Sequence, residues 1–182
     1  MAKIMKMIAV ITLLMTVCFF LLYHFTSVRL FFPLTITLGT TAYHFIIRLI
    51  VGLLVDRKMK NKADYTKKWY QVSSLEQKLY QKLKVKKWKD KMPTYNKDVF
   101  DTSKHSWDEM LQAMCQSELV HEINIVFSLL PIVASVWFGS FVVFLITSIL
   151  GAMFDLMFVM MQRYNRSRIL KMKRKVTKIV EK

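Results

Sequence analysis

Residues 123–161 read INIVFSLLPIVASVWFGSFVVFLITSILGAMFDLMFVMM, 39 residues in which Asp155 carries the only full charge. As a single α-helix this stretch would be about 58 Å long at 1.5 Å per residue, against a bilayer core of roughly 30 Å. It is therefore expected to cross a membrane twice, with the turn at Gly139-Ser140. The second crossing is then Phe141–Met161, and the first, Ile123–Phe138, draws extra length from Glu118–Glu122. A re-entrant bend at Pro131 is the alternative, because irregular backbone at membrane depth persists only where protein encloses it.

Two more apolar runs lie upstream. No residue between Lys6 and Arg29 carries a full charge, and Ile8–Phe25 reads IAVITLLMTVCFFLLYHF. That length spans a bilayer, and with no small-residue cleavage site after Phe25 it reads as an uncleaved helix rather than a signal peptide. Leu30–Val55 is the second run, with Pro33 near its first turn, where a missing N–H costs little. Arg48, seven residues before its end, is expected to snorkel toward water. The chain thus reads as an all-α integral membrane protein of about four transmembrane helices. Its four glycines, Gly39, Gly52, Gly139 and Gly151, lie within or beside these runs, where small residues let helices approach closely.

Composition supports that class. Hydrophobic residues make up 54% of the 182-residue chain, against about 45–50% in soluble domains. Lys+Arg outnumber Asp+Glu by 28 to 12, a net charge of +16. Basic residues mark the cytoplasmic face of a membrane protein. Residues 57–121 hold fifteen Lys/Arg and 163–182 hold nine, whereas the expected outer loops contain only Arg29. The expected organisation is a transmembrane hairpin over 1–55, a basic cytosolic or interfacial segment over 56–121, a second hairpin over 122–161 and a basic tail over 162–182. Both termini then lie on the cytoplasmic side of the cell membrane. Cys18 sits in an apolar run and Cys115 in a basic region, so each is expected to act as a small apolar side chain rather than to form a bridge.

The basic segment alternates charge with Trp69, Tyr70, Tyr80, Trp88, Tyr95 and Trp107. Ser73-Ser74-Leu75-Glu76 has the form of a capping box, and Leu75, Leu79 and Leu83 recur every four residues, so a helix is expected over Ser73–Lys89. Pro93 then breaks the chain, and Asp108–His121 resumes as a helix entering the bilayer with Asp108 and Glu109 favourable in its first turn. An amphipathic segment on the anionic leaflet accounts for most of these lysines, at about 1 kcal/mol for each basic residue near that surface. Nucleic acid is not the expected partner: the basic residues flank membrane helices and no nucleic-acid motif occurs.

Three groups of residues could carry chemistry. Glu118 and His121 share a helical face at i, i+3, at the point where the helix enters the membrane. They make a candidate general base with an orienting carboxylate, or else an interfacial pair with no catalytic task. Asp155 is a carboxylate at membrane depth, a functional candidate by default, with His121 or Arg163 as its expected partner, or else a structural hydrogen bond between helices. Gln162-Arg163-Tyr164-Asn165-Arg166-Ser167-Arg168 places three guanidinium groups within six residues, and guanidinium forks suit phosphate or carboxylate. A di-iron site built on Glu-x-x-His would need a second such motif and more carboxylates, so no metal is expected. No Walker loop, dinucleotide fingerprint, nucleophile elbow or Cys-x-x-Cys pair is present.

Three blocks in order, Trp88-Lys89-x-x-Met92-Pro93, Glu118-Leu119-Val120-His121 and Gln162-Arg163-Tyr164-Asn165-Arg166-x-Arg168, resemble the glycosyl-4,4'-diaponeurosporenoate acyltransferases of staphyloxanthin-type carotenoid biosynthesis. The likeness runs from about Trp69 to Arg174. It departs from the family pattern at Glu122, where Trp is usual, at Ser167, where Pro is usual, and at Asp155, where an amide is usual. The resemblance implies transfer of a fatty acyl group to a sugar hydroxyl of a glycosylated carotenoid held in the lipid bilayer. His121 with Glu118 would be the catalytic pair. Arg163, Arg166 and Arg168 would receive the phosphate of an acyl-CoA or acyl-carrier thioester, a co-substrate rather than a bound cofactor. Asn165 would hold the thioester oxyanion, Trp88 and Lys89 would make secondary contacts or order the loop, and Asp155 would line the substrate site. The competing reading is a non-enzymatic membrane protein that binds anionic lipid or scaffolds a lipid-pathway complex.

Overall fold

The computed structural model describes residues 2–93, 101 and 103–180; Tyr95 lies outside them. Among the described residues there is no β-strand, and four helical stretches are long and apolar enough to cross a membrane: Lys3–Thr26, Phe31–Met59, Trp107–Phe138 and Phe141–Ile179. The helices are α1 (Ala2–Thr26), α2 (Phe31–Met59), α3 (Ser74–Lys82), α4 (Val85–Trp88), α5 (Trp107–Leu129), α6 (Pro131–Phe138) and α7 (Phe141–Val180), with short 3-10 turns at Lys68–Tyr70 and Lys89–Lys91. Cys18 and Cys115 are both free thiols.

The turn at Gly139-Ser140 falls where the length argument put it: α6 ends at Phe138 and α7 begins at Phe141, with φ +64° at Gly139 and +53° at Ser140. Only glycine takes that region without a Cβ penalty, so Ser140 carries the strain of reversing the chain. Pro131 produces a local tightening and no re-entrant loop. Leu130 keeps helical angles, and its N–H bonds to the Phe127 carbonyl at i−3. Proline at 131 lacks the N–H that would normally donate to that carbonyl, and the Tyr43 hydroxyl donates to it at 2.9 Å instead.

The helix expected over Ser73–Lys89 is broken. Its capping box forms as read, with Ser73 accepting from the Glu76 N–H and the Glu76 carboxylate accepting from the Ser73 N–H at 2.8 Å. The helix stops at Lys82 because Lys84 adopts a left-handed conformation, φ +52°. That kink fully buries Val85, whereas Leu75, Leu79 and Leu83 remain exposed. The four-residue leucine repeat is therefore an outward-facing apolar stripe and no part of the core. A second capping box, Ser106 with Glu109, starts α5.

The chain forms two compact units, Met1–Leu53 with Ile123–Asp155, and Leu54–Glu122 with Leu156–Lys182. In the first unit α1 and α2 meet through Phe19–Phe31 and Tyr23–Phe32 ring contacts. They approach closely at Gly39, where a Cβ would lie 3.3 Å from the Thr16 methyl. The same unit carries a polar seam. Arg48 does not reach for water as expected: its guanidinium pairs with the buried Asp155 at 2.5 Å and donates to Ser128 Oγ, the Gly151 carbonyl and the His44 carbonyl. Asp155 thus has Arg48 as an ion-pair partner, one the sequence reading did not name. A charge at membrane depth is tolerated when paired and hydrogen-bonded. Gly151 makes room for this, since a Cβ there would meet Arg48 Nη2 and the His44 ring at 3.2 Å.

Candidate active site

In the second unit the chemistry-bearing residues gather around Glu118 on α5, whose side chain is wholly buried. A carboxylate removed from water must be paired and hydrogen-bonded, and Glu118 is matched on both oxygens. Oε1 accepts from Arg163 Nη1 at 2.6 Å, and Oε2 accepts from Arg166 Nη1. The two arginines stand three residues apart on α7, one helical face, which lets both forks close on a single acid.

The remaining donors of Arg163 are also committed, and Arg166 makes further bonds of its own. Arg163 forks onto Glu76 of α3, Nε to Oε1 at 2.8 Å and Nη2 to Oε2 at 3.3 Å, and reaches the Trp69 and Gln71 carbonyls. Arg166 donates Nε and Nη2 to the Tyr70 carbonyl at 3.1 and 2.6 Å, with its guanidinium 5.2 Å from the Tyr70 ring centroid. Two cations and two carboxylates thus tie α3, α5, α7 and the 3-10 turn at Lys68–Tyr70 into one neutral cluster. Burial of the Tyr70 phenol raises it above its ordinary range. Burial also pushes the Tyr80 phenol up to about 12, helped by the charge of Glu76 beside it. Burial alone would raise Glu76, but hydrogen bonds from the Ser73 backbone and Arg163 hold its carboxyl below 4.5.

Next to this cluster the His121 ring lies flat against Phe158 of α7, centroids 4.4 Å apart and planes 7° from parallel, and His121 is half-buried. The Trp69 indole N–H donates to Glu122 at 3.0 Å. Gln116 closes a further link: its amide donates to Asp56 at 3.0 Å and accepts from the Asn61 N–H at 2.7 Å, where α2 ends.

The sequence candidates are therefore distributed unevenly. Glu118, Arg163 and Arg166 come together in one cluster. Their donors and acceptors serve the protein itself, so Arg163 and Arg166 hold the site in shape and do not stand open to a phosphate. Arg168 is exposed, its guanidinium 5.9 Å from the Tyr164 ring centroid. Asn165 is half-buried, and its side chain makes no hydrogen bond among the described residues. Trp88 donates its indole N–H to the Leu83 carbonyl, covering the end of α3, and Lys89 is half-buried in the following turn. Asp155 belongs to the other unit. Sequence reading missed Glu76 as a partner of Arg163, where the capping box was the visible signal, and it missed the Tyr70 carbonyl, for which no side-chain signal exists. No group of three or more His, Cys, Asp and Glu placed to hold a metal ion occurs among the described residues.

A chain that is all-helical among the described residues, with four helices long and apolar enough to cross a bilayer, is an integral membrane protein. It belongs to the glycosyl-4,4'-diaponeurosporenoate acyltransferase (CrtO) family, whose model matches residues 66–175, more than half of the 182-residue chain. That makes it an enzyme of an acyltransferase family of carotenoid biosynthesis. The matched span contains all three quoted blocks and leaves out His44 and Arg48. No curated protein and no solved structure matches the chain.

Proposed function

We propose that the protein transfers a fatty acyl group from a thioester donor, acyl-CoA or acyl-carrier, to a sugar hydroxyl of a glycosylated C30 carotenoid acid. The sugar oxygen attacks the thioester carbonyl while His121 takes the hydroxyl proton. The C–S bond breaks, and the proton passes from the imidazole to the leaving thiolate, giving an O-acyl sugar and a free thiol. A hydroxyl is a poor nucleophile until a base acts on it, and His121 is the half-buried imidazole next to the charge cluster.

The observation that carries this reading is the saturation of Glu118 by Arg163 and Arg166 one turn before His121. It fixes the helix that bears the base, so Glu118 enters as a positioning residue. Asn165, between the two anchored arginines, is assigned to the thioester oxygen as it gains charge. The Leu75, Leu79 and Leu83 stripe and the exposed Trp69 support an interfacial position for this segment at the cytoplasmic leaflet of the cell membrane. The test is comparison of lipid extracts, with and without the protein, by mass spectrometry. A new species heavier than the glycosylated carotenoid by one fatty acyl group is expected, and its absence with an inserted, folded protein overturns the assignment.

A further inference from the structure

Arg163 has no donor left for a ligand and Arg166 is wholly buried, so a phosphate-bearing acyl donor must be met elsewhere. A groove of about 650 Å³ lies in the second unit, lined among others by Tyr65, Thr66, Lys173, Arg174, Thr177 and Lys178. That volume falls within the roughly 300–1,000 Å³ typical of small-molecule sites. Its α7 side has a helical pattern: Lys173, Arg174, Thr177 and Lys178 are spaced i, i+1, i+4, i+5, one face of the helix. Lys175 borders the groove as well.

The charges are not equivalent. Lys173 is neutralised, donating to Asp108 at 2.5 Å with its ammonium 5.7 Å from the Tyr65 ring centroid, and the Tyr65 hydroxyl also donates to Asp108. This contact holds α7 against the start of α5 and fixes one wall. Arg174, Lys175 and Lys178 are exposed and form no ion pair among the described residues. Arg174 and Lys178 stand one turn apart, about 6 Å along the axis at 1.5 Å per residue, a separation suited to two phosphoryl groups.

We propose that this groove is the donor subsite, binding the phosphorylated nucleotide portion of a coenzyme-A-type thioester through Arg174, Lys178 and Lys175. A single lipid phosphate would need one cation at the surface, whereas the groove offers three uncompensated cations and an aromatic wall. The inference rests on the acyltransferase reading for its meaning, and its test separates the two. Full-length protein in neutral phosphatidylcholine nanodiscs is titrated calorimetrically with coenzyme A and with adenosine 3',5'-bisphosphate. Both are expected to bind. The double variant Arg174→Gln/Lys178→Gln should lower affinity by about tenfold or more, and a control, Arg57→Gln/Lys58→Gln, should leave it unchanged. With acyl-CoA as donor the double variant should raise the donor KM and spare kcat.

Equal nucleotide binding by wild type and double variant overturns the subsite. So does a donor KM that changes only with an acidic acyl-carrier protein. A third overturning result is loss of nucleotide binding in phosphatidylglycerol nanodiscs, with more of that lipid co-purifying with wild type than with the variant, which would make the groove a lipid-headgroup site. Failure of acyl transfer with every donor would instead sink the acyltransferase reading, while nucleotide binding would still decide the groove.

Discussion

Arg166 donates to Glu118 with neither side chain reaching solvent. A buried ion pair adds little when compared with an apolar replacement of both partners, but removing one partner strands the other charge. Four separate segments depend on this one pair and on Arg163 beside it, so the cluster is where the second unit is most vulnerable.

Glu118→Gln and Arg166→Met, made singly, are each expected to destabilise the protein by about 3–5 kcal/mol. Arg166→Lys should not restore stability, because an ammonium lacks the planar fork that serves the carboxylate and the Tyr70 carbonyl together. Thermal unfolding in detergent reads both effects; wild-type stability in Arg166→Lys would refute the argument.

The Arg48–Asp155 pair should behave as a coupled unit within the first unit. Arg48→Met and Asp155→Leu alone are each expected to lower stability, and the double variant to recover most of the loss, since both charges then leave the apolar environment together. A double-mutant cycle measures the coupling, and additive losses would contradict it.

Tyr43→Phe removes only the hydroxyl that donates to the Phe127 carbonyl. The expected loss is about 0.5–1.5 kcal/mol, toward the lower end given the modest hydrogen bonds measured between membrane helices. In Pro131→Ala the backbone regains its own donor, so adding Tyr43→Phe there should cost measurably less.

His121→Ala is expected to reduce acyl transfer by about 10²–10⁴-fold, the range for loss of a general base, as measured on membrane-inserted, folded protein. His121→Gln keeps the polarity but not the base and should be equally inactive. Retained activity in either variant would remove the imidazole from the chemistry.

Two groups give opposite limbs to the pH profile of stability. The Glu76 carboxyl lies below its ordinary value in the fold. Its contribution is therefore present above about pH 4.5 and lost as pH falls through the native value. The Tyr80 phenol is raised to about 12, so its contribution is complete below pH 10 and lost as pH climbs through about 12. Glu76→Gln should flatten the acid limb and Tyr80→Phe the alkaline limb, as read by denaturant midpoints across pH.

The four membrane-length helices, the turn at Gly139-Ser140, the Ser73 capping box and the acidic start of α5 follow from amino-acid order alone, because apolar run length, caps and positive-φ turns are local properties. The three motif blocks likewise pointed to one family by residue order. Only the tertiary structure decided which charges meet. Arg48 turned inward because Ser128, the Gly151 carbonyl and Asp155 converge on it from other helices. Arg163 and Arg166 became anchors because Glu76, Glu118 and three backbone carbonyls reached them first. Lys84 broke the expected helix so that Val85 could be buried. Each of these outcomes depends on which helical faces are pressed together, and a periodicity along one segment contains no information about the acceptors that another segment will bring.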